Sequence, residues 1–292
     1  MKTLYGTLML GNTNSLMKFV TTDSVHLIVT SPPYYGVQMW GNLNEELLGI
    51  KNQWWLDKKV KKLKKGETLF HDYLAEVWRE CYRVLVPGGR LIINVADTPS
   101  KEVGYWANHV EIINRCKKIG FRYRDMIFWA KGNQHKVSGS YPRPWGILIA
   151  NTVEYVMVFQ KPGVRDYSAM PDKRIEASKL KKGCEQWLLN PIWEIKSASA
   201  KHEGHCAPYP IELVRRLIAL YTYRYDTVLD PYCGTGTTLK AAKDLKRNFI
   251  GIELYEKYFK QISKKVAWNE QTLYSRIDYK IRKFKSRIKG GK

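Results

Sequence analysis

The sequence lacks any apolar run close to the roughly 20 residues that a membrane-spanning helix needs. It also lacks a CxxC pair, and its five cysteines are widely scattered, a pattern that argues against a disulfide framework and a structural zinc site. No small-residue cleavage pattern follows the N-terminal segment MKTLYGTLML, so a signal peptide is not expected. These absences predict a soluble, cytoplasmic protein with no membrane partner.

Potential metal ligands cluster in one segment, KHEGHCAP, which contains His202, His205 and Cys206. Zinc is held by three or four such side chains in a closed or open tetrahedral site, and a fourth ligand is not evident here. We therefore expect no metal site.

Acidic residues are scarce beside basic ones. The chain has 27 Asp and Glu against 49 Lys and Arg, which gives a formal net charge of +22. Such a charge attracts polyanions and speeds their encounter with the protein, so nucleic acid is the expected partner. A lysine-rich thermophilic surface is the alternative, but those surfaces usually gain glutamate together with lysine.

Strand-like and helix-like segments alternate along the chain. VHLIVT and RLIINVAD have the composition of buried strands, and the helical segment LFHDYLAEVWRECYRVL ends before Pro87-Gly88-Gly89. Two further runs, FRYRDMIFWAKGN and TVEYVMVFQKP, are rich in β-branched and aromatic residues. This alternation predicts an α/β fold with a doubly wound, mostly parallel sheet. The lysine-rich segment 38–66 is predicted to be a surface insertion.

The segment VLDPYCGTGTTLKAA predicts a strand, a glycine-containing turn and a helix, the arrangement that holds cofactors at the carboxyl end of a strand. It lacks the lysine of a phosphate-binding G-x-x-x-x-G-K-[ST] loop and the full G-x-G-x-x-G pattern. A carboxylate at the strand tip, Asp230, suits a cationic ligand such as S-adenosylmethionine. Glu253 ends the next strand and is placed to accept the ribose hydroxyls. Either acid alone could be only a turn or strand-end residue.

The segment TSPPYYG ends an apolar strand with two adjacent prolines. In a doubly wound sheet this turn would face the same crevice as the glycine loop. The Ser31 Oγ and the carbonyl of Pro32 can accept N–H bonds of an exocyclic base amine, which would localise its lone pair and stabilise the charge that develops in the transition state. Tyr34 offers a ring on which a flipped-out base can stack.

With TSPPY first and DPYCGTGTT near the end, the chain resembles the β arrangement of amino-methylating DNA methyltransferases from about Leu4 to Tyr258. The resemblance implies the seven-stranded S-adenosylmethionine-dependent methyltransferase fold and double-stranded DNA as substrate. It assigns catalysis to Ser31, Pro32, Pro33 and Tyr34. It assigns the cofactor to Asp230, Tyr232, Gly234, Gly236, Thr237 and Glu253, with Asn12 and Asp97 as further members of that pocket.

The resemblance also indicates which base is methylated, and the chain departs from the family pattern at some positions. A serine at position 31 usually accompanies cytosine-N4 methylation and an aspartate adenine-N6 methylation, with exceptions. Asn12 stands where many members carry aspartate, and Tyr232 replaces the commoner phenylalanine. Cytosine-C5 methylation is disfavoured, because no cysteine follows a proline as it does in those enzymes.

Target recognition is expected from segments that the scaffold does not need. The organisation implied is a catalytic half at 1–160 with the insertion 38–66, a target-recognition region at 161–190, a cofactor-binding half at 191–258 and a basic helical tail at 259–292. Arginines more often read guanine and lysines position the backbone. The candidate DNA contacts are His135, Lys136, Arg143, Trp145, Arg165, Lys173, Arg174, Lys181 and Lys182.

Several alternatives remain open from the sequence. They are adenine-N6 methylation, an RNA or protein substrate, and a nucleic-acid-binding module without catalysis. A cognate restriction nuclease as a functional partner and an orphan role are equally compatible with the sequence, as are a monomer and a homodimer.

Overall fold

The computed structural model describes residues 4–35, 60–100, 104–132, 138–140, 142–149, 151–198 and 209–266. The strands are β1 Gly6–Leu10, β2 Val25–Thr30, β3 Leu85–Val95, β4 Thr98–Ser100, β5 Gly104–Trp106, β6 Arg122–Ala130, β7 Ser138–Gly139, β8 Ile147–Leu148, β9 Val153–Gln160, β10 Ile192–Glu194, β11 Thr227–Asp230 and β12 Asn248–Glu253. The helices are α1 Thr13–Leu16, α2 Val60–Val84, α3 Asn108–Ile119, α4 Asp172–Glu176, α5 Gln186–Leu189, α6 Ile211–Tyr221, α7 Thr237–Asp244 and α8 Glu256–Lys265.

Eight strands form the main sheet, in the order β1-β12-β11-β2-β3-β9-β6-β10. The first five of these strands are mutually parallel, β9 runs antiparallel to both β3 and β6, and β10 is parallel to β6. Two short hairpins, β4-β5 and β7-β8, lie outside this sheet. The predicted α/β fold with a mostly parallel, doubly wound sheet is confirmed.

The parallel strands all end at one edge, which we call the carboxyl edge of the sheet. The chain leaves this edge after β1, β2, β3, β6, β10, β11 and β12, and the antiparallel β9 begins there. Residues that follow these seven strands and residues that precede β9 therefore lie along the same edge. We call the opposite side, where β2 and β11 begin, the amino edge.

Two apolar clusters cover the two faces of the sheet, because successive side chains of a strand point to opposite faces. On β2, Ile28 packs into one cluster with Trp78 of α2 and Ile112 of α3. Leu27 of the same strand packs into the other cluster with Leu217 of α6, and that cluster also takes in α7 and α8. The sheet is thus rigidly held between helices on both faces.

Two details of the sequence-based organisation are wrong. The sheet has eight strands rather than seven, because the short β10 pairs in parallel with the outer strand β6. Helix α2 starts at Val60, so it runs through Gly66 and the end of the predicted insertion becomes helix; glycine costs about 1 kcal/mol in a helix, which so long a packed helix can bear. The rest of that insertion, 38–59, lies outside the described residues, as do 199–208 with the histidine and cysteine cluster.

The tail is described only as far as Val266. Helix α8 crosses the expected boundary at 258, so the start of the tail belongs to the packed domain. Within the described residues, no helix is both long and apolar enough to cross a membrane.

Candidate active site

The Pro-Pro turn begins where β2 ends at the carboxyl edge. Pro32 and Pro33 are buried, and the Ser31 Oγ lies 2.9 Å from the Tyr34 hydroxyl. Proline fixes φ, so this turn has little freedom to move its serine away from the edge. The predicted catalytic residues are therefore held on one short and stiff segment.

The second tyrosine of the segment anchors it. Tyr35 is 2% exposed, and its ring contacts the rings of Phe70 and Trp106 at centroid distances of 5.6 and 4.9 Å. Its carbonyl accepts a hydrogen bond of 2.6 Å from the Thr98 hydroxyl. Tyr35 thus fixes the turn to the core and leaves Tyr34 beside Ser31.

The glycine loop between β11 and α7 adjoins the Pro-Pro turn through Asp230. This aspartate is fully buried, and its Oδ1 accepts hydrogen bonds from the Thr30 hydroxyl at 2.8 Å and the Tyr232 N–H at 3.1 Å. Its Oδ2 accepts from the hydroxyls of Tyr209 at 2.9 Å and Thr238 at 2.5 Å. Burial raises the pKa of the Asp230 carboxyl, and the four donors oppose that rise. Asp230 therefore joins the two loops, and its oxygens are occupied from within the protein.

The glycines of this loop meet a geometric demand. Gly234 and Gly236 have φ of 52° and 81°, in the left-handed region. A Cβ on Gly236 would lie 2.9 Å from a methyl carbon of Ile262, so the loop closes onto α8 only because a side chain is missing there. Thr237, the first residue of α7, is 7% exposed, and its hydroxyl accepts a bond of 3.2 Å from the Lys265 ammonium.

Glu253 ends β12 next to the glycine loop. Its Oε2 accepts the Gly234 N–H at 2.8 Å and its Oε1 accepts the Tyr255 N–H at 2.9 Å. Burial raises the pKa of this carboxyl to about 7, although the backbone donors oppose the rise. A carboxyl in this position can accept hydroxyl hydrogen bonds when it is ionised.

The end of β1 closes the same group of loops. The Thr13 hydroxyl donates to the carbonyl of Pro231 at 2.7 Å, and the Gly11 N–H donates to the carbonyl of Glu253 at 2.8 Å. The Asn12 Oδ1 caps α1 through the Asn14 N–H at 2.9 Å. Asn12 thus lies between Gly11, which bonds to the end of β12, and Thr13, which bonds to the glycine loop.

The side chains of Tyr232 and Asp97, two other residues of the expected cofactor pocket, contact residues outside the glycine loop. The Tyr232 ring packs edge-on against Trp78, and its hydroxyl is buried with no hydrogen-bond partner among the described residues. Asp97 follows β3 at the carboxyl edge, and its Oδ1 lies 2.8 Å from the His109 Nδ1. His109 in turn stacks on Tyr155, with ring centroids 4.0 Å apart.

One polar residue of the site has no counterpart in the sequence prediction. Glu154, near the start of β9, is 7% exposed, and its Oε2 lies 3.3 Å from the Tyr34 hydroxyl. The same oxygen accepts a hydrogen bond of 2.5 Å from the Asn94 amide, and the Oε1 forms an ion pair with Lys131. The only sequence signal for Glu154 is a lone acid inside the apolar run TVEYVMVFQ.

Residues 25–265 match a family model described as DNA methylase, N6_N4 type. The chain belongs to the N6/N4 DNA methylase family. It is similar to the type II methyltransferase M.MjaI of Methanocaldococcus jannaschii, with 36% identity over 273 residues that cover 88% of this chain and 90% of that protein.

Solved structures agree with this membership. The chain is similar to a DNA modification methylase of Thermus thermophilus, TTHA0409, in complex with S-adenosyl-L-methionine, with a TM-score of 0.69 and 30% identity over 90% of this chain and 96% of that one. It shares its fold with the cytosine-N4-specific PvuII DNA methyltransferase, with a TM-score of 0.65 and 17% identity over 92% and 89% of the two chains. The protein is a DNA methyltransferase that uses S-adenosylmethionine.

The residues of this DNA methylase fit that cofactor. A rigid loop with left-handed glycines lies beside Glu253, whose carboxylate can take the ribose hydroxyls. Asp230 is expected from the sequence to face a cationic group of the ligand. In the structure it is buried, and its two oxygens accept hydrogen bonds from four donors within the protein.

The predicted DNA contacts fall into three groups. Lys173, Lys181 and Lys182 are exposed, as are Arg143 and Trp145 in the loop between β7 and β8, where the Trp145 side chain is fully exposed. His135 and Lys136 lie outside the described residues.

Arg165 and Arg174 form the third group, and their placement does not fit free base-reading arginines. Their guanidinium groups bind the buried Asp226 with N–O distances of 2.5 Å each. Asp226 precedes β11 whereas Asp230 ends it, so these arginines lie at the amino edge, across the sheet from the site. A fully buried carboxylate requires such partners, which is the physical reason for the difference.

Proposed function

We propose that this DNA methylase transfers a methyl group to the exocyclic N4 amine of cytosine in a flipped-out base. The observation that carries the proposal is the position of Ser31 at the head of a buried Pro-Pro turn, joined to the glycine loop by the 2.8 Å bond between Thr30 and Asp230. Because that bond connects the strand tip before Ser31 to the cofactor loop, the base amine and the cofactor would meet at one point of the carboxyl edge.

The chemical task of the Pro-Pro turn follows from the nature of the amine. S-adenosylmethionine, when bound, supplies an electrophilic methyl group. The Ser31 Oγ and the Pro32 carbonyl would accept the two amine N–H bonds, so that the nitrogen lone pair is directed out of the ring and the developing positive charge is stabilised. The Tyr34 ring would stack on the flipped base, which is worth about 1–3 kcal/mol.

The cofactor would be held by two features of the site. Glu253 would accept the ribose hydroxyls, and the backbone of the Gly234–Gly236 loop would approach the methionine end. Asp230, Tyr232 and Thr237 would support the loop, with Asn12 and Asp97 at the border of the pocket. These roles keep the sequence-based residue set but make Asp230 a support of the loop.

Adenine-N6 methylation is the second candidate. One observation favours it: the chain is 27% identical over 271 residues to the DNA adenine methyltransferase YhdJ of Escherichia coli. The serine at position 31 supports cytosine, because the resemblance associates aspartate there with adenine.

The DNA would contact the exposed basic and aromatic groups that the structure describes outside the site. Lys173, Lys181 and Lys182 would neutralise phosphates, and Arg143 and Trp145 would reach the duplex from their loop. The name of M.MjaI, a type II methyltransferase, supports a role in protecting host DNA beside a restriction nuclease.

Product analysis tests the proposal directly. DNA incubated with the protein and cofactor is digested to nucleosides and examined by mass spectrometry, and we expect N4-methylcytosine. N6-methyladenine without N4-methylcytosine would instead establish the second candidate. Ser31→Ala should lower turnover by about two to three orders of magnitude with little change in cofactor affinity, and near-normal turnover would refute the acceptor role of the serine.

A further inference from the structure

Glu154 is a buried acid that the proposed chemistry does not use. It lies on β9, the antiparallel strand whose beginning reaches the carboxyl edge, and it pairs across the sheet with Trp129 of β6. An acid in an otherwise apolar strand is costly unless it is paired and hydrogen-bonded. Its position therefore calls for an explanation beyond packing.

The contacts of Glu154 fix which atoms donate and which accept. Its ion pair with Lys131 and the 2.5 Å hydrogen bond from the Asn94 amide favour the carboxylate, which accepts hydrogen bonds and cannot donate them. Burial raises the pKa of Tyr34 well above its ordinary value, so the phenol keeps its hydrogen. At 3.3 Å the Tyr34 hydroxyl can only donate to this oxygen.

That donation sets the direction of the next hydrogen bond. The Ser31 Oγ and the Tyr34 hydroxyl are 2.9 Å apart, and either could donate in isolation. Once the single Tyr34 hydrogen points to Glu154, the tyrosine oxygen accepts and Ser31 donates. The hydrogen of Ser31 is then occupied, and its lone pairs remain for an incoming N–H group.

The opposite direction would harm the reaction. If Tyr34 donated to Ser31, the serine hydrogen would be free to point at the amine nitrogen. It would then bind the lone pair that has to attack, and the serine would no longer favour the charge that develops on the nitrogen.

We propose that Glu154 is a positioning residue that fixes the hydrogen-bond direction from Ser31 through Tyr34 to Glu154, so that Ser31 is presented to the target amine as an acceptor. The inference rests on the proposed function of Ser31. It holds for either target base, since both present an exocyclic amine.

The test is a double-mutant cycle on the full chain with DNA and labelled cofactor. In Glu154→Gln, Lys131 draws the amide oxygen to itself, which leaves the amide N–H groups facing Tyr34. We expect a single-turnover rate about tenfold to hundredfold lower, somewhat less than the loss from deleting a group that contacts the reacting atoms, with unchanged cofactor affinity. In the Ser31→Ala background the same substitution should change the rate by less than about twofold, because the group it acts through is gone.

The controls separate this inference from the proposed function. Glu194→Gln, an exposed acid on β10, should leave the rate unchanged. If Glu154→Gln slows the Ser31→Ala protein as much as the Ser31 protein, the inference is overturned while the methyltransferase function stands. If the unsubstituted protein methylates no DNA, the proposed function itself fails.

If Glu154→Gln does not fold, Tyr34→Phe tests the same proposal. Tyr34→Phe keeps the ring and removes the relay hydroxyl, so it should slow transfer in the Ser31 protein and have little effect in the Ser31→Ala protein. Equal effects in the two backgrounds would overturn the relay.

Discussion

Two buried aspartates stand at opposite ends of β11, and the protein satisfies them in different ways. Asp226 at the amino edge is bound by the guanidinium groups of Arg165 and Arg174, and its Oδ2 also accepts the Tyr223 N–H at 2.9 Å. Among the described residues, the donors to Asp230 at the carboxyl edge are three hydroxyls and one backbone N–H, and none is a cation.

The difference separates a structural edge from a reactive one. Guanidinium groups cannot accept hydrogen bonds or lose their charge, so the amino edge is held in one arrangement. Hydroxyls can donate or accept, and they bring no positive charge to Asp230. The donors of Asp230 and of Glu253 are thus neutral dipoles, since those of Glu253 are backbone N–H groups, whereas Glu154 at the same edge forms an ion pair with Lys131.

The largest effect on stability is expected from removing the charge of Asp226 at the amino edge. Asp226→Asn should lower the free energy of unfolding by about 3 kcal/mol, because two partly buried guanidinium groups lose the counter-charge of a fully buried carboxylate. Urea denaturation measures the loss. Asp244→Asn is the matched control: this aspartate is 27% exposed, pairs with Arg215 and Lys240, and should cost at most about 1 kcal/mol. Equal losses in the two variants would contradict the comparison.

At the carboxyl edge, Glu253 is expected to make the stability of the protein depend on pH. Burial raises the pKa of Glu253 from 4.5 to about 7, so the folded protein binds this proton more tightly than the unfolded chain. The contribution of Glu253 to stability is therefore greatest below about pH 4.5 and is lost as the pH rises to about 7. The shift corresponds to a loss of about 3 kcal/mol.

Denaturation of the protein and of Glu253→Gln across pH 4.5 to 7 isolates this effect, because the other titrating groups cancel in the difference. The stability of Glu253→Gln should gain on that of the unsubstituted protein as the pH rises. Asp244→Asn should show no such trend in this window, since desolvation raises the pKa of Asp244 but its bonds to Lys240 and Arg215 outweigh that rise and lower the pKa below its ordinary value. A pH-independent difference for Glu253→Gln would refute a raised pKa.

The sequence predicts the carboxyl edge better than the amino edge. The Pro-Pro turn, the glycine loop and Glu253 each follow a recognisable strand, and parallel strands necessarily end at one edge. Local pattern and topology are therefore sufficient to bring them together. The same reasoning misses the eighth strand, because the pairing of β10 with β6 depends on a three-residue segment.

The missing parts of the prediction are all long-range. Arg165 is 61 residues from Asp226, and Glu154 is 120 residues from Tyr34. No periodicity or turn signal connects such pairs. A basic residue in a loop-like segment looks the same in the sequence whether it is solvated or bound to a buried carboxylate, and for this reason the sequence assigns both arginines to DNA.

Asp230→Asn should cost less stability than Asp226→Asn, because the hydroxyls around Asp230 can turn. In Asp230→Asn, the amide oxygen can stay at the Oδ1 position and accept from the Tyr232 N–H, while the amide N–H groups face Tyr209 and Thr238. Both hydroxyls can rotate to accept, and one of them can donate to the other, so a single hydroxyl hydrogen loses its acceptor, and we expect a loss of about 1–2 kcal/mol in urea denaturation. In Asp226→Asn the partners cannot reverse their hydrogen bonds in this way, because guanidinium groups only donate. If Asp230→Asn lowered the free energy of unfolding as much as Asp226→Asn, the hydroxyls around Asp230 would be unable to turn. The two edges would then differ only in the charge of the groups that bind their aspartates.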